Sequence, residues 1–249
     1  MSPDALRAPV HAGVGHRAMP RKARVGECVY CGAVGEVTRD HVPPKCLFPP
    51  SDRVNLVTVR ACYTCNAGFK LDDEYFRVLL AMRADLPEGE GAEFLRDQTN
   101  RALRHPSAKQ FRDSILAATR AIPIHTQAGV YLGHTPALKL DAARIRSTAD
   151  RIVRGLYSKY IGWRLPDSHA VSVNPLDFQR NNSAIESPEV RELADTIWSQ
   201  GAHKSFGNTL DLRFMQAGED PSSSLWLVRL HGVFQFLGFT LPKDGQTET

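Results

Sequence analysis

The chain has 249 residues, and its hydrophobic content of 42% is typical of a globular protein with a sizeable core. No segment approaches the roughly 18 consecutive apolar residues of a membrane span, and none near the N-terminus resembles a secretory signal. These features exclude an integral membrane protein and a wholly disordered chain. We therefore expect a cytoplasmic protein with no membrane partner.

The first segment in chain order, residues 1–26, is expected to be a flexible basic arm. The net charge of the chain is +4, and residues 1–25 account for it, because there a single acid, Asp4, stands against five basic residues: Arg7, Arg17, Arg21, Lys22 and Arg24. Basic side chains in such an arm neutralise phosphates, so Arg21, Lys22 and Arg24 are candidate contacts for a nucleic acid. The alternative is a solvated tail without a partner.

Two Cys-x-x-Cys pairs follow, at Cys28/Cys31 and at Cys62/Cys65. Four thiolates in two such pairs can close a tetrahedral zinc site, and in a cytoplasmic protein this spacing indicates metal in preference to a disulfide or a redox pair. We expect a structural Zn²⁺ ion here. The fifth cysteine, Cys46, is expected to be an apolar filler.

Between and after the cysteine pairs, the pattern predicts two strands and a helix. Alternation over residues 36–42 predicts a strand that ends at Pro43-Pro44, and the β-branched run 56–59 predicts a second strand. After Cys65, apolar residues recur at helical spacing. Residues 27–85 are therefore expected to form a small module, in which zinc supplies much of the folding free energy because the apolar residues are few.

Residues 86–249 are expected to form a larger α+β domain, through which a protein partner or a second copy could bind and whose role the sequence does not disclose. Apolar residues at i, i+3 and i+4 predict helices at 90–104, 107–121, 141–161 (with Asp141 as N-cap) and 187–200. Short apolar or β-branched runs predict strands at 130–132, 209–215, 225–230 and 233–241. The last two flank His231-Gly232 and are expected to be a hairpin.

The segment Asp40-His41-Val42-Pro43, followed by Asn55 and by Cys62-x-x-Cys65-Asn66, resembles the HNH endonuclease family in its variant with flanking zinc cysteines. Order, spacing and residue types agree over residues 27–82. The resemblance implies a ββα-metal, treble-clef-like fold, in which a hairpin and a helix hold one catalytic divalent ion, usually Mg²⁺ or Mn²⁺. It also implies hydrolysis of phosphodiester bonds in nucleic acid.

The resemblance also implies roles for individual residues. His41 matches the general base, which takes a proton from the attacking water. Asp40 and Asn66 match the ligands of the catalytic ion, and oxygen ligands suit Mg²⁺ or Mn²⁺. Asn55 matches the residue whose amide holds the loop between the strands and orients the base. Lys70, one helical turn after Asn66, is expected to contact a phosphate.

Structural roles remain open for the same residues. His41 could be a loop histidine bonded to backbone, Asn55 and Asn66 could be turn and cap residues, and Asp40 could pair with a basic side chain on the surface. The acidic run 72–74, near the start of the predicted helix, is expected to be a solvated face. Neighbours on a regular strand point to opposite faces, so Asp40 and His41 can serve one site only if the strand is irregular or ends there.

The sequence therefore predicts a metal-dependent HNH endonuclease that hydrolyses phosphodiester bonds in nucleic acid, which we expect to be DNA. The alternative is a zinc-module protein that binds nucleic acid without cutting it. A disabled site is expected to have lost at least one of Asp40, His41 and Asn66, and all three are present. The enzyme is therefore the favoured interpretation.

Overall fold

The computed structural model describes residues 24–162, 164–176 and 188–243, and these form a mixed α+β fold, as predicted. The strands are β1 Arg24–Glu27, β2 Val34–His41, β3 Thr58–Cys62, β4 Thr119–His125, β5 Tyr131–Leu138, β6 His169–Pro175, β7 Ala202–Phe206, β8 Leu210–Gln216, β9 Ser224–Leu230 and β10 Phe234–Pro242. The helices are α1 Tyr63–Gly68, α2 Lys70–Ala81, α3 Glu90–Arg104, α4 Lys109–Ala118, α5 Ala142–Ile161 and α6 Pro188–Gln200.

Strands β1, β2 and β3 form an antiparallel sheet with β2 in the centre. The register pairs Arg24 with Val37 and His41 with Thr58. Arg24 thus belongs to a strand, although the sequence placed it in the basic arm, because a four-residue strand is too short to show alternation. The other predicted arm contacts, Arg21 and Lys22, lie outside the described residues.

The predicted helix after the second cysteine pair is confirmed, but it begins earlier and consists of two parts. Helix α1 starts directly after Cys62, and Phe69 separates it from α2. The second part buries a continuous block of side chains from Tyr75 to Leu80. This block contacts α3 and α5, so α2 joins the cysteine-bearing sheet to the rest of the chain.

The larger sheet is antiparallel, with the strand order β6-β10-β9-β8-β7. The predicted hairpin across His231-Gly232 is confirmed by the pairing of β9 with β10. Helix α6 covers one face, where Ile197 packs on Leu225 and Leu227, and α5 covers the other. Because both faces are covered, residues 225–228 of β9 are all apolar and do not alternate with polar residues. The sequence missed β6 and the largely exposed edge strand β7.

Helix α4 is shorter than the predicted helix 107–121, because Thr119 begins strand β4. Strands β4 and β5 form a separate two-stranded hairpin. Most of its side chains are exposed, including those of Ile122 and Tyr131. Strand β4 follows α4 with no loop between them, so the sequence contains no turn residues that would separate the helix from the strand.

Helix α5 lies at the centre of the molecule. Its predicted N-cap is confirmed, since the Asp141 carboxylate accepts hydrogen bonds from the N–H groups of Ala143 and Arg144. A Cβ at Gly238 would lie 2.5 Å from Val153, so this glycine lets β10 approach the helix closely.

The main core is continuous across the predicted boundary near residue 85. It contains Val42 and Phe76 from the first part of the chain together with Leu156, Trp226 and Phe234 from the second. Among the described helices, none is long and apolar enough to cross a membrane.

Candidate functional site

The two cysteine pairs meet at one end of the three-stranded sheet. Cys28 and Cys31 lie in the turn after β1, Cys62 ends β3 and Cys65 lies in α1. The four sulfur atoms lie within 4.8 Å of one another, and Cys31 Sγ lies 3.8 Å from Cys62 Sγ. A tetrahedral site with Zn–S bonds of about 2.3 Å places its sulfurs about 3.8 Å apart. The four cysteines could therefore hold a zinc ion.

The backbone of each cysteine turn is shaped for such a site. In the first turn, the Cys28 N–H donates to Ala33 O and the Gly32 N–H donates to Cys28 O, both at 2.9 Å. Gly32 has a φ of +74°, a left-handed conformation that glycine adopts without strain. In the second turn, the Cys65 N–H donates to Cys62 Sγ at 3.4 Å.

The electrostatics at Cys28 favour the thiolate that a metal requires. Burial opposes ionisation of this thiol, but the backbone N–H groups of Cys31, Cys62 and Tyr30 outweigh burial and lower its pKa to about 7. A lowered thiol pKa reduces the proton cost of metal binding. The lowered pKa favours metal binding at Cys28 only, because the pKa values of Cys31 and Cys65 are raised, that of Cys65 by burial and by hydrogen bonds with the other cysteines. The case for all four ligands therefore rests on the distances between their sulfur atoms.

Asp40, one of the two predicted ligands of the catalytic ion, lies in the interior and is only 6% exposed. Its Oδ2 accepts a hydrogen bond of 2.6 Å from the Tyr30 hydroxyl. The same oxygen lies 3.2 Å from Nη1 of Arg151 on α5. The partner is therefore a buried arginine far along the chain, and not a basic side chain on the surface.

Arg151 connects several elements. It contacts Asp73 of α2 through Nη2 as well as Asp40 of β2 through Nη1, and its guanidinium lies 4.6 Å from the centre of the Phe69 ring. We call this group the interior ion cluster; its members are Tyr30, Asp40, Phe69, Asp73 and Arg151. It ties the first cysteine turn to β2, α2 and α5.

The acidic run 72–74 is therefore not the solvated face that the sequence predicted. Burial raises the pKa of Asp73 to about 7, against the opposing effect of Arg151. Asp72 accepts a hydrogen bond of 2.8 Å from Arg144 Nε. Two of the three carboxylates thus hold α5 against α2.

Asn66, the other predicted ligand, lies on the helix side of the sheet near Thr38. Its Nδ2 donates to Thr38 Oγ1 at 2.8 Å and to Arg39 O at 3.4 Å. The nearby carboxylate of Asp40 is already matched by Arg151, and the described residues hold no group of three or more metal-binding side chains apart from the cysteines. As arranged, Asp40 and Asn66 do not fit a divalent cation, because the Asp40 carboxylate is already paired with Arg151 and the Asn66 amide is bonded to Thr38 and Arg39.

His41, the predicted base, is the last residue of β2. It pairs with Thr58, and the next N–H, that of Val42, still donates to Val57 O at 3.0 Å. The strand is therefore regular up to His41, so Asp40 and His41 point to opposite faces of the sheet. The structure does not bring the predicted base and the predicted ligands to one side.

The surroundings of His41 keep its imidazole neutral. The side chain is half-buried, and neither ring nitrogen forms a hydrogen bond with a described residue. Burial lowers the pKa of His41, and Lys45 and Arg53 act in the same direction against the opposing effect of Asp40. A neutral imidazole of this kind can accept a proton. The two cations beside it can hold an anion close to the imidazole.

The remaining predicted site residues occupy loops or exposed positions. Asn55 has a φ of 57°, which asparagine tolerates, and its amide makes no hydrogen bond with a described residue. It shapes the loop before β3 through its backbone, and not through the amide contact that the resemblance implied. Lys70 is exposed at the first residue of α2, and Arg24 is exposed on β1.

Sequence reasoning missed Arg151 and the role of Asp73. One signal was present, a glycine inside the predicted helix 141–161, which often marks a close approach of another segment. In the structure, a Cβ at Gly155 would lie 2.6 Å from Val42 Cγ2, so α5 needs glycine where it crosses the end of β2. Arg151 lies one turn earlier on the same side of the helix and reaches Asp40. Nothing local in the sequence pairs residues 40 and 151.

No family model matches the chain, and comparisons with curated proteins and with solved structures likewise find no match. Three features of the molecule itself bear on its function: the four-cysteine cluster, the interior ion cluster, and the neutral His41 with its two neighbouring cations.

Proposed function

We propose that the chain is an HNH-type endonuclease in which His41 is the general base. The observation that supports this proposal is the environment of His41, which combines a lowered pKa, two neighbouring cations, Lys45 and Arg53, and ring nitrogens that bond to none of the residues in 24–162, 164–176 and 188–243. Such an imidazole is unprotonated at cellular pH and ready to accept a proton. The cations attract a phosphodiester and offset the negative charge that develops on its oxygens.

In the proposed reaction, His41 takes a proton from a water molecule as the water oxygen forms a bond to phosphorus. The bond from phosphorus to the leaving oxygen breaks in the same displacement, and solvent supplies the proton that this oxygen gains. No covalent bond to the protein is formed. Lys70, exposed at the start of α2, is a proposed contact for a neighbouring phosphate.

Zinc on the four cysteines has a structural role in this proposal, because all four ligand positions of a tetrahedral ion are filled. When bound, Mg²⁺ or Mn²⁺ would stabilise charge on the phosphate. No step is assigned to such an ion, because Asp40 and Asn66 do not form its site. DNA as the substrate and the cytoplasm as the location are parts of the same proposal.

A second candidate is a zinc-module protein that binds nucleic acid without cutting it. The observation that favours it is the Asp40–Arg151 pair, which occupies the carboxylate that the resemblance assigns to the catalytic ion. In this case the module is a rigid binding platform, and His41 is a polar contact for a phosphate.

Nicking of supercoiled plasmid separates the two candidates. The zinc-loaded full chain is assayed with added Mg²⁺, with added Mn²⁺ and with neither, beside His41→Ala, His41→Gln and the control His125→Ala, which changes an exposed histidine on β4. We expect wild type and the control to nick the plasmid, and both His41 variants to be at least about 100-fold slower at unchanged melting temperature. The rate should also rise with pH and reach half of its plateau value below pH ~6.5, because the pKa of His41 is lowered.

Two results would contradict the nuclease proposal. Undiminished cutting by the His41 variants would remove His41 as the base. No cutting by folded wild type that still binds DNA would establish the second candidate in its place.

A further inference from the structure

The charges of the three-stranded sheet are segregated by face. Paired residues of an antiparallel sheet share a face, and residues two apart along a strand do as well. From the register, one face carries Arg24, Arg39 and Arg60, together with His41 at its end. The opposite face carries the three carboxylates of the sheet: Glu27, Glu36 and Asp40.

The three arginines are exposed, and none forms an ion pair with a described residue. Arg39 and Arg60 lie directly opposite each other on neighbouring strands. Like charges in such a pair repel each other and destabilise a sheet. An arrangement that costs stability in the free protein is explained if an anion occupies the face.

Gly26 positions one of these side chains. A Cβ at Gly26 would lie 3.1 Å from Arg60 Cδ and 3.4 Å from Val37 Cγ2, so the glycine leaves room for Arg60 to lie across the sheet. Val37 is 8% exposed, although Arg24, its partner on β1, and Arg39, two residues further along β2, are both exposed on this face. The aliphatic part of Arg60 thus covers the apolar residue and leaves a flat, cationic surface.

We propose that this arginine face, consisting of Arg24, Arg39 and Arg60, binds the phosphate backbone of a nucleic acid and leads it to His41. The role of His41 rests on the proposed function, whereas the binding of the backbone does not. Arginine is suited to bidentate contacts with phosphate, and such contacts position a strand without reading its sequence. The only large apolar residue of this face, Val37, is buried, so the face offers nothing to insert into a membrane.

The test measures binding of the zinc-loaded full chain to a fluorescein-labelled duplex DNA by anisotropy over a range of salt concentrations, without added divalent ions. The variants are Arg24→Gln, Arg39→Gln, Arg60→Gln and the double variant R39Q/R60Q. The matched control is Arg96→Gln, which removes the same charge from an exposed position on α3.

We expect each arginine that is removed from the face to reduce the slope of log K against log salt concentration by about 0.9, and the double variant to reduce it by about 1.8. Arg96→Gln should keep the wild-type slope. Because Arg39 and Arg60 repel each other, R39Q should have a melting temperature equal to or above that of wild type. A purely structural role for Arg39 would instead lower its melting temperature and leave the slope unchanged.

The inference would be overturned by wild-type slopes in R39Q and R60Q, by no binding of wild type to the duplex, or by binding to phosphatidylserine vesicles in its place. The outcome is independent of cutting. If the wild type does not nick plasmid but the variants have reduced salt slopes, the nuclease proposal is contradicted and the arginine face is supported. If the wild type nicks plasmid and all variants have the wild-type slope, the nuclease proposal is supported and the arginine face is contradicted.

Discussion

Replacing Arg151 by methionine removes the only cation of the interior ion cluster while nearly keeping the length of the side chain. The arginine side chain is 4% exposed, and those of Asp40 and Asp73 are 8% and 20% exposed. Removing one partner of a buried pair leaves an uncompensated charge and costs about 3–5 kcal/mol. For a chain of this size, about 1 kcal/mol shifts the melting temperature by about 2–4 °C, so we expect a loss of about 6–20 °C.

Urea unfolding and thermal melting of zinc-loaded protein measure the two losses, and both are followed by tryptophan fluorescence, to which the buried Trp226 contributes. The control is Arg154→Met in the next turn of α5, which breaks a partly exposed pair with Asp150 and should cost less than about 1 kcal/mol. In the Arg151→Met background, Asp73→Asn should recover part of the loss, because it removes one stranded carboxylate. An Arg151→Met loss no larger than that of the control, or no recovery, would refute this reasoning.

Three further predictions concern the cysteine cluster, Asp73 and Gly207. Cys62→Ser should no longer bind one zinc ion per chain, as measured by metal analysis, and should lower the melting temperature. The reason is that it removes one of four ligands that together link the two cysteine turns. Burial raises the pKa of Asp73 from 3.8 to about 7 in the folded chain, which therefore binds its proton more tightly than the unfolded chain between those values. This group's contribution to stability thus falls as pH rises through that window, and Asp73→Asn should flatten the fall in urea midpoints. Gly207→Ala should cost about 1–3 kcal/mol, because Gly207 has a φ of +55° and its added Cβ would lie 2.0 Å from Asp52 Cγ. Thermal melts compare it with the control Gly218→Ala, whose added Cβ would meet nothing within 4 Å and which should stay within about 0.5 kcal/mol of wild type.

Local patterns in the sequence predicted much of the fold. Helix α5 and its Asp141 cap, the β9–β10 hairpin across His231-Gly232, and the helix after Cys65 all follow from spacing and turn residues within one segment. The strands that were missed, β1, β4, β6 and β7, are short or partly or largely exposed, so their alternation is weak. The continuous core across residue 85 was also invisible, because a boundary read from composition does not report packing.

The candidate site divides in the same way. By itself, the sequence determined the four-cysteine cluster, because ligand type and spacing within each short turn are enough to specify it. Only the tertiary structure decided the fate of Asp40, since its partner Arg151 comes from a helix 111 residues away and arrives there because Gly155 admits α5 to the end of β2. Strand register likewise decided that His41 shares a face with three arginines and not with Asp40. A ligand set within short turns can be predicted from residue spacing. The face that a side chain occupies and the charges near it depend on pairing and packing between distant segments.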